Sequence, residues 1–212
     1  MKILKLLFLT AVIASVFVAC SGGEKDIPST EAGTVSVDSP VASNALPEHT
    51  FVTFEVEGYG KFVVETYPEC APETVKHFLS LVESGHYNGF SFDKITPSKT
   101  LLSSETSSHN SSSDSGSKPS AIAGEFYANG KSNTLKLDKY TLALNHIEGN
   151  YDTGVSQFMI MLTSSHDFDG QYAGFAKVVE GNEVIDRIAG SETDENGKPV
   201  SPIVMKKVYI KA

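Results

Sequence analysis

The sequence predicts a mostly β domain, an antiparallel barrel whose ends are closed by two helices. Short stretches of strand length recur between turn signals from residue 51 to residue 210. Two other stretches repeat apolar residues at helical spacing, and each has a single apolar face. A barrel accommodates both features, because closure removes exposed strand edges and one-sided helices can cover its ends.

The first elements are a hairpin and a helix. Residues 51–56 alternate apolar and polar side chains, and residues 61–66 follow after a turn at Gly58-Tyr59-Gly60. Pro72 marks the start of a helix, where its missing N–H costs nothing. Gly85 marks the end of that helix.

The next predicted strand, residues 90–95, carries a candidate functional lysine. Phe90 and Phe92 share one face of this strand, and strict alternation places Lys94 on that face as well. Ile95 falls on the opposite face. The strand must therefore bend or end near Lys94 for the ammonium to reach water. The simpler alternative is a solvated lysine at a strand end, as most lysines are.

Residues 99–119 are dominated by serine and predict a long mobile surface loop, because they offer little apolar surface to bury. A loop of this length is either functional or tolerated, and composition alone favours the second.

The C-terminal half supplies the remaining elements. Gln157 stands at the head of an apolar run and either caps a strand end or faces a groove, since its amide needs partners. Asp169-Gly170 is a turn signal between two strands. The predicted strands are residues 140–144, 157–162, 174–179 and 203–210, with short apolar pieces at 121–126 and 133–137 and a second helix around 184–188 that ends at Gly190.

The N-terminus predicts export. Residues 1–20 begin with Lys2 and Lys5 and continue with an apolar run that is too short to span a membrane comfortably. The segment ends in Ala19-Cys20, which resembles the lipobox of bacterial lipoproteins and implies lipidation of Cys20. The alternative is an ordinary cleaved signal peptide. Residues 21–48 are rich in Ser, Pro, Glu, Ala and Gly and predict a flexible tether.

Composition excludes several classes of protein. The chain carries 17 basic and 26 acidic residues, a net charge of −9, which argues against a nucleic-acid partner. Of its two cysteines, only Cys70 lies in the predicted domain, so no internal disulfide is expected. The six histidines are scattered and no zinc spacing is present, so we expect no metal site.

Several segments, taken in order, resemble the bacterial form of the cyclophilin family of peptidyl-prolyl isomerases. They include Ser-Gln-Phe-Met-Ile-Met at 156–161 and Asp-Phe-Asp-Gly-Gln-Tyr-Ala-Gly-Phe-Ala at 167–176. The resemblance extends from about residue 50 to the C-terminus, so the domain is placed at 49–212. It implies a closed eight-stranded antiparallel barrel capped by two α-helices, with a side-chain-filled interior. It also implies rotation about X–Pro bonds without a cofactor.

The resemblance assigns a catalytic role to Lys94. In this family an arginine in a Phe-His-Arg motif donates toward the proline nitrogen, and the matching stretch here is Phe92-Asp93-Lys94. Lysine keeps the charge but loses the planar fork of the guanidinium. Beyond it, Lys99 and Thr100 replace the Phe and Met of the proline pocket, and Leu102 replaces the Gln that grips substrate backbone.

The other site residues match the family more closely. Gln157 corresponds to the substrate-binding glutamine, and Asp167 occupies the position of the tryptophan linked to cyclosporin binding. The residues that the resemblance assigns to substrate binding are Gln157, Met159, Phe168, Tyr172, Asn145 and His146.

Three functions are consistent with this pattern. The first is a membrane-tethered isomerase of low activity, monomeric, that acts outside the cytoplasm on proline-containing peptides or unfolded exported proteins. The second is a cyclophilin-like module that binds peptides or a partner protein without catalysis. The third is a surface scaffold in which the Ser-rich loop contacts envelope material and the groove is inert.

Overall fold

The computed structural model describes residues 48–105 and 119–211. Cys20, the tether up to residue 47 and most of the Ser-rich segment lie outside them. Among the described residues, no helix is both long and apolar enough to cross a bilayer. The elements in chain order are β1 Phe51–Val56, β2 Gly60–Thr66, α1 Pro72–Glu83, β3 Ser91–Thr96, β4 Thr100–Ser104, β5 Thr141–Leu144, β6 Phe158–Met161, β7 Ala173–Glu180, α2 Asn182–Ala189 and β8 Ile203–Ile210, with 3₁₀ turns at Tyr127–Asn129 and His166–Phe168.

The eight strands form one closed barrel, and every pair is antiparallel. The strand order is β1-β2-β7-β5-β6-β4-β3-β8. The predicted closed antiparallel barrel with two helices is therefore confirmed. Phe54 lies at the centre of its core, stacked on Phe62 with ring centroids 4.7 Å apart and edge-on to Phe158 at 5.8 Å. Helix α1 adds Phe78, whose ring lies 4.9 Å from that of Phe175.

The prediction of a loop over residues 99–119 was wrong for its first part, because Thr100–Ser104 form strand β4. Leu101 is fully buried in the core. Ser103 is also buried, and its hydroxyl accepts a hydrogen bond from the Phe158 amide and donates one to the Phe158 carbonyl, each at 2.9 Å. Because the hydroxyl of Ser103 is hydrogen-bonded both as donor and as acceptor, the serine can be buried in the barrel. Residues 121–126 and 133–137 form no strand, apart from an isolated bridge at Ile122.

The predicted bend at Lys94 is confirmed as a β-bulge. The pairing of β3 with β4 shifts register between Phe92 and Lys94, so Asp93 is an extra residue. Because the bulge resets the alternation, Ile95 joins Phe92 in the core while Lys94 is exposed. The prediction that Ile95 lies on the face opposite Phe92 was therefore wrong.

The turn signal at Asp169-Gly170 does not join neighbouring strands. Gly170 has φ of 75°, as the signal predicts. However, strand β5 lies between β6 and β7 in the barrel and pairs with both. The segment that connects β6 to β7 includes the 3₁₀ turn His166–Phe168 and crosses the outer surface of the sheet at β5 and β6.

A buried carboxylate caps helix α1. The N-cap residue Ala71 has no side-chain acceptor, and the carboxylate of Glu125 takes its place. It accepts from the Thr74 amide and hydroxyl, both at 2.7 Å, and from the Glu73 amide at 3.2 Å. A negative charge at this helix end also complements the helix dipole. The irregular segment after residue 119 is thereby tied to the barrel.

We predict that Glu125→Ala lowers the free energy of unfolding by about 2 kcal/mol, because it leaves three donors of α1 without an acceptor. Urea denaturation measures this change. Glu83→Ala is the matched control: Glu83 is exposed in the last turn of the same helix, and its loss should change stability by less than about 0.5 kcal/mol. Equal effects of the two substitutions would contradict the capping role.

Candidate functional site

An apolar cluster lies on the outer face of the sheet formed by β4, β5 and β6. Phe158 and Ile160 point into the core, so Met159 between them points outward. Met159 lies opposite Leu102 of β4 and Ala143 of β5 in the strand register. Strands β5 and β6 are therefore buried on both faces, which explains their nearly continuous apolar sequences.

Two aromatic side chains from the β6–β7 connection form the wall of this cluster. Phe168 and Tyr172 are half-buried and, like Leu102, pack against the buried cluster that contains Met159. Their rings meet edge to face, with centroids 5.4 Å apart and an interplanar angle of 86°. The structure thus brings Met159, Phe168 and Tyr172 together, with Leu102 as a fourth member. We call this cluster of four side chains the outer recess.

Lys94 lies at the edge of the outer recess. In the β3–β4 register it is directly opposite Leu102, and opposite residues of an antiparallel pair share a face. The stem of Lys94 lies beside Gly197, whose carbonyl accepts the amide of Ile95 at 2.8 Å. Among the described residues, no carboxylate forms an ion pair with its ammonium. A free cation is therefore positioned next to an apolar recess.

Lys99 contacts the outer recess as well. Its Nζ lies over the ring of Phe168, 4.9 Å from the centroid. The backbone of Lys99 is held on both sides, since its amide donates to the Thr96 carbonyl and its carbonyl accepts from Leu162, each at 3.0 Å. The sequence marked Lys99 only as a replaced pocket residue, whereas the structure shows that it covers the aromatic wall.

The polar residues of the site lie beyond the recess at the ends of β5 and β6. Asn145 Nδ2 donates to Gln157 Oε1 at 2.9 Å, and the two residues also line an open groove of about 510 Å³. Gln157 thus both satisfies its amide at a strand end and faces a groove. The groove is further lined by Ser104, Glu105, His146, Ile147, Thr153, Val155 and Ser156.

His146 links the groove to the recess. Its ring stacks on Tyr172 at 4.7 Å and on Phe126 at 5.2 Å. A ring nitrogen lies 2.9 Å from the carbonyl oxygen of Gln171, which ties the β6–β7 connection to the end of β5. Burial, together with the nearby charge of Glu148, raises the pKa of Tyr172.

The arrangement offers binding and electrostatic stabilisation. It combines an apolar recess, a cation at its edge and polar amides in an adjoining groove. In residues 48–105 and 119–211, no three His, Cys, Asp or Glu side chains gather as metal ligands would. A reaction suited to this site is one whose transition state differs from its ground state in charge distribution and shape.

Comparison with known proteins gives a consistent result. The family model described as cyclophilin type peptidyl-prolyl cis-trans isomerase/CLD matches residues 51–210. Peptidyl-prolyl cis-trans isomerase-like 1 of Aspergillus fumigatus is 30% identical over 154 residues, which cover 73% of this chain and 91% of that protein. Its counterpart in Emericella nidulans is 29% identical over 161 residues, covering 76% of this chain and 94% of that protein.

The fold has solved counterparts. A cyclophilin type peptidyl-prolyl cis-trans isomerase of Cryptosporidium parvum superposes with a TM-score of 0.65 at 23% sequence identity, covering 78% of this chain and 99% of that one. A second structure of that protein, determined in the presence of the dipeptide Ala-Pro, gives a TM-score of 0.63. At this identity the match concerns the fold.

Proposed function

Because the chain belongs to the cyclophilin-type peptidyl-prolyl cis-trans isomerase family, we propose that it isomerises X–Pro bonds at the outer recess, with low activity. One observation carries the proposal: Lys94, Leu102 and Met159 are lateral neighbours on three adjacent strands. This register sets a cation beside an apolar surface. The Ala-Pro dipeptide used with the Cryptosporidium protein is a ligand of the expected chemistry.

The chemical task is rotation about a partial double bond. Amide resonance sets a barrier of about 18–20 kcal/mol, and no bond has to break. The twisted bond has lost its resonance, and the lone pair is localised on the proline nitrogen. A donor that reaches this nitrogen stabilises the twisted state more than the planar one, which lowers the barrier. Lys94 supplies that donor, while Met159, Phe168 and Tyr172 exclude water from the ring.

Two features of the site reduce the rate. An ammonium is a point donor, so Lys94 cannot hold a carbonyl and address the nitrogen at once as a guanidinium can. Leu102, its neighbour on β4, offers no hydrogen bond to the substrate backbone. The remaining polar grip comes from Gln157 and Asn145, whose mutual hydrogen bond orients both amides and leaves the Gln157 NH₂ group to donate to substrate.

We predict that Lys94→Gln lowers the catalysed isomerisation rate by about 10- to 100-fold, because it removes the charged donor. Lys94→Arg should raise the rate, since the fork adds a second donor. Exchange spectroscopy by NMR on an Ala-Pro peptide with the full chain measures both. Lys206→Gln, which removes an exposed lysine on β8, is the control. A wild-type rate equal to the uncatalysed one, with no gain in Lys94→Arg, would reject the isomerase function.

Leu102 favours a second candidate function, a module that binds peptides without catalysis. Its side chain packs against the buried cluster and stands where the family resemblance places a Gln, which retains apolar binding surface while removing a hydrogen bond to the substrate backbone. On this alternative, titration with a proline peptide shifts the NMR signals of Gln157 and Tyr172, yet cis and trans peptide signals show no exchange. Enhanced exchange at saturating peptide would exclude it.

For the cellular setting we propose a bacterial lipoprotein that works outside the cytoplasm. The charged start, the short apolar run and the residues around Cys20 support this organisation, with residues 21–48 as a tether to the domain at 49–212. The clients would then be exported proteins, bound by a monomer.

We expect Cys20→Ser to release the protein from the membrane fraction of a bacterial host, because the lipid chains have lost their attachment point. Fractionation with immunoblotting measures the release. Cys70→Ala changes the other cysteine of the chain, which is buried, and should leave membrane association intact. A Cys20→Ser protein that stays with the membrane would contradict anchoring by the lipid, and a mature wild-type chain without lipid by mass spectrometry would favour an ordinary signal peptide.

A further inference from the structure

The lysines of the outer recess differ from most others in their pairing. In the part of the chain that the structure describes, six lysines lie within 4.0 Å of a carboxylate oxygen, as expected in a chain of net charge −9. Lys94 and Lys99 form no such pair among the described residues, although both are exposed. The six paired lysines are Lys61, Lys136, Lys139, Lys177, Lys198 and Lys211.

The acidic groups nearest the recess are largely occupied elsewhere. Asp93 lies 3.8 Å from Lys198. Asp169 accepts from the Leu137 amide at 2.9 Å and pairs with Lys136 at 3.2 Å. Although burial acts against it, these donors and His166 hold the pKa of Asp169 below its usual range. Asp167, next to Phe168 in the chain, is exposed, and no described lysine pairs with it.

The charges of the site are therefore distributed unevenly. Lys94 and Lys99 lie at the recess, whereas Glu105 lines the polar groove and Glu148 lies close enough to raise the pKa of Tyr172, which burial also raises. A peptide whose proline enters the recess places its adjoining side chains near the two lysines. The ammonium of Lys99 is positioned in advance, because hydrogen bonds hold its backbone and the ring of Phe168 supports its charge.

We propose that the outer recess selects peptides with an Asp or Glu next to the proline, a specificity that rests on the proposed function. An acidic side chain there would meet Lys99 or Lys94 at a partly desolvated surface, where opposite charges attract more strongly than in bulk water. The rest of the chain is acidic and repels such peptides, so the two lysines provide the local attraction. The attraction between charges would thus replace part of the hydrogen bonding to the substrate backbone that the Leu102 side chain cannot provide.

Matched peptides test this specificity. In the first pair the residue immediately before the proline is Glu or its neutral isostere Gln. In the second pair an Ala-Pro core is followed by Glu or Gln. Binding to the full chain is measured by NMR titration and isomerisation by exchange spectroscopy, at 0.05 M and 1 M NaCl. We expect the Glu peptide of at least one pair to bind about two- to fivefold more tightly than its Gln partner, as for a partly exposed ion pair. The preference should vanish at 1 M NaCl, where the screening length is about 3 Å.

Variants of Lys99 identify the group responsible. Lys99→Gln should reduce the ratio of Glu to Gln affinity, and Lys99→Arg should preserve it. Lys206→Gln removes the same charge on β8 and should leave the ratio unchanged. Lys94→Gln is titrated in the same way. Equal affinity for Glu and Gln peptides in both pairs, or a ratio that neither Lys99→Gln nor Lys94→Gln alters, would overturn the specificity while catalysis on the Gln peptides upholds the proposed function. If no peptide binds, both the specificity and the proposed function are rejected.

Discussion

The β-bulge at Asp93 is the constraint on which the site depends. A strand of a closed barrel sends alternate side chains inward and outward, so Phe92 and Lys94 would both face the core without an extra residue between them. An ammonium in that core would cost several kcal/mol in lost hydration. The register shift keeps Phe92 and Ile95 inside and turns Lys94 outward, opposite Leu102. The barrel thus gains both a continuous core and a cation on its outer wall.

The outer recess exists because strands β5 and β6 are buried on both faces and β4, beside them, carries the partly buried Leu102 on the same outer face. Leu101, Phe158 and Leu142 fill the barrel, while Leu102 and Met159 on the reverse face form the floor under the β6–β7 connection. That connection is held down by polar contacts rather than by a strand pair, through His146 at the Gln171 carbonyl and Asp169 at the Leu137 amide. The wall of the recess is therefore positioned by loops that rest on a rigid sheet.

Local sequence patterns predicted most of the fold. They failed where a contact with a residue distant in sequence determines the conformation. Helix α1 begins at Pro72 and strand β8 spans Ile203–Ile210, as their periodicity and flanking turns indicate. Strand β4 was missed because serine is a poor strand signal, and Ser103 is stable inside only through its bonds to Phe158. In the site, the positions of Met159 and Tyr172 were predicted, but the contact of Lys99 with Phe168 depends on a fold across more than sixty residues of sequence.

The residues around Lys94 show how binding and catalysis separate physically. Hydrogen bonds to substrate backbone are short-ranged and demand fixed geometry, whereas an unpaired charge acts over several ångströms and tolerates imprecise docking. With Leu102 beside it, the site relies on apolar contact and charge more than on directional bonds. Such a site binds its ligand less rigidly, and a less rigid complex holds the donor less well aligned with the proline nitrogen during the twist. Affinity can therefore persist while the rate falls, because only interactions that strengthen in the twisted state lower the barrier.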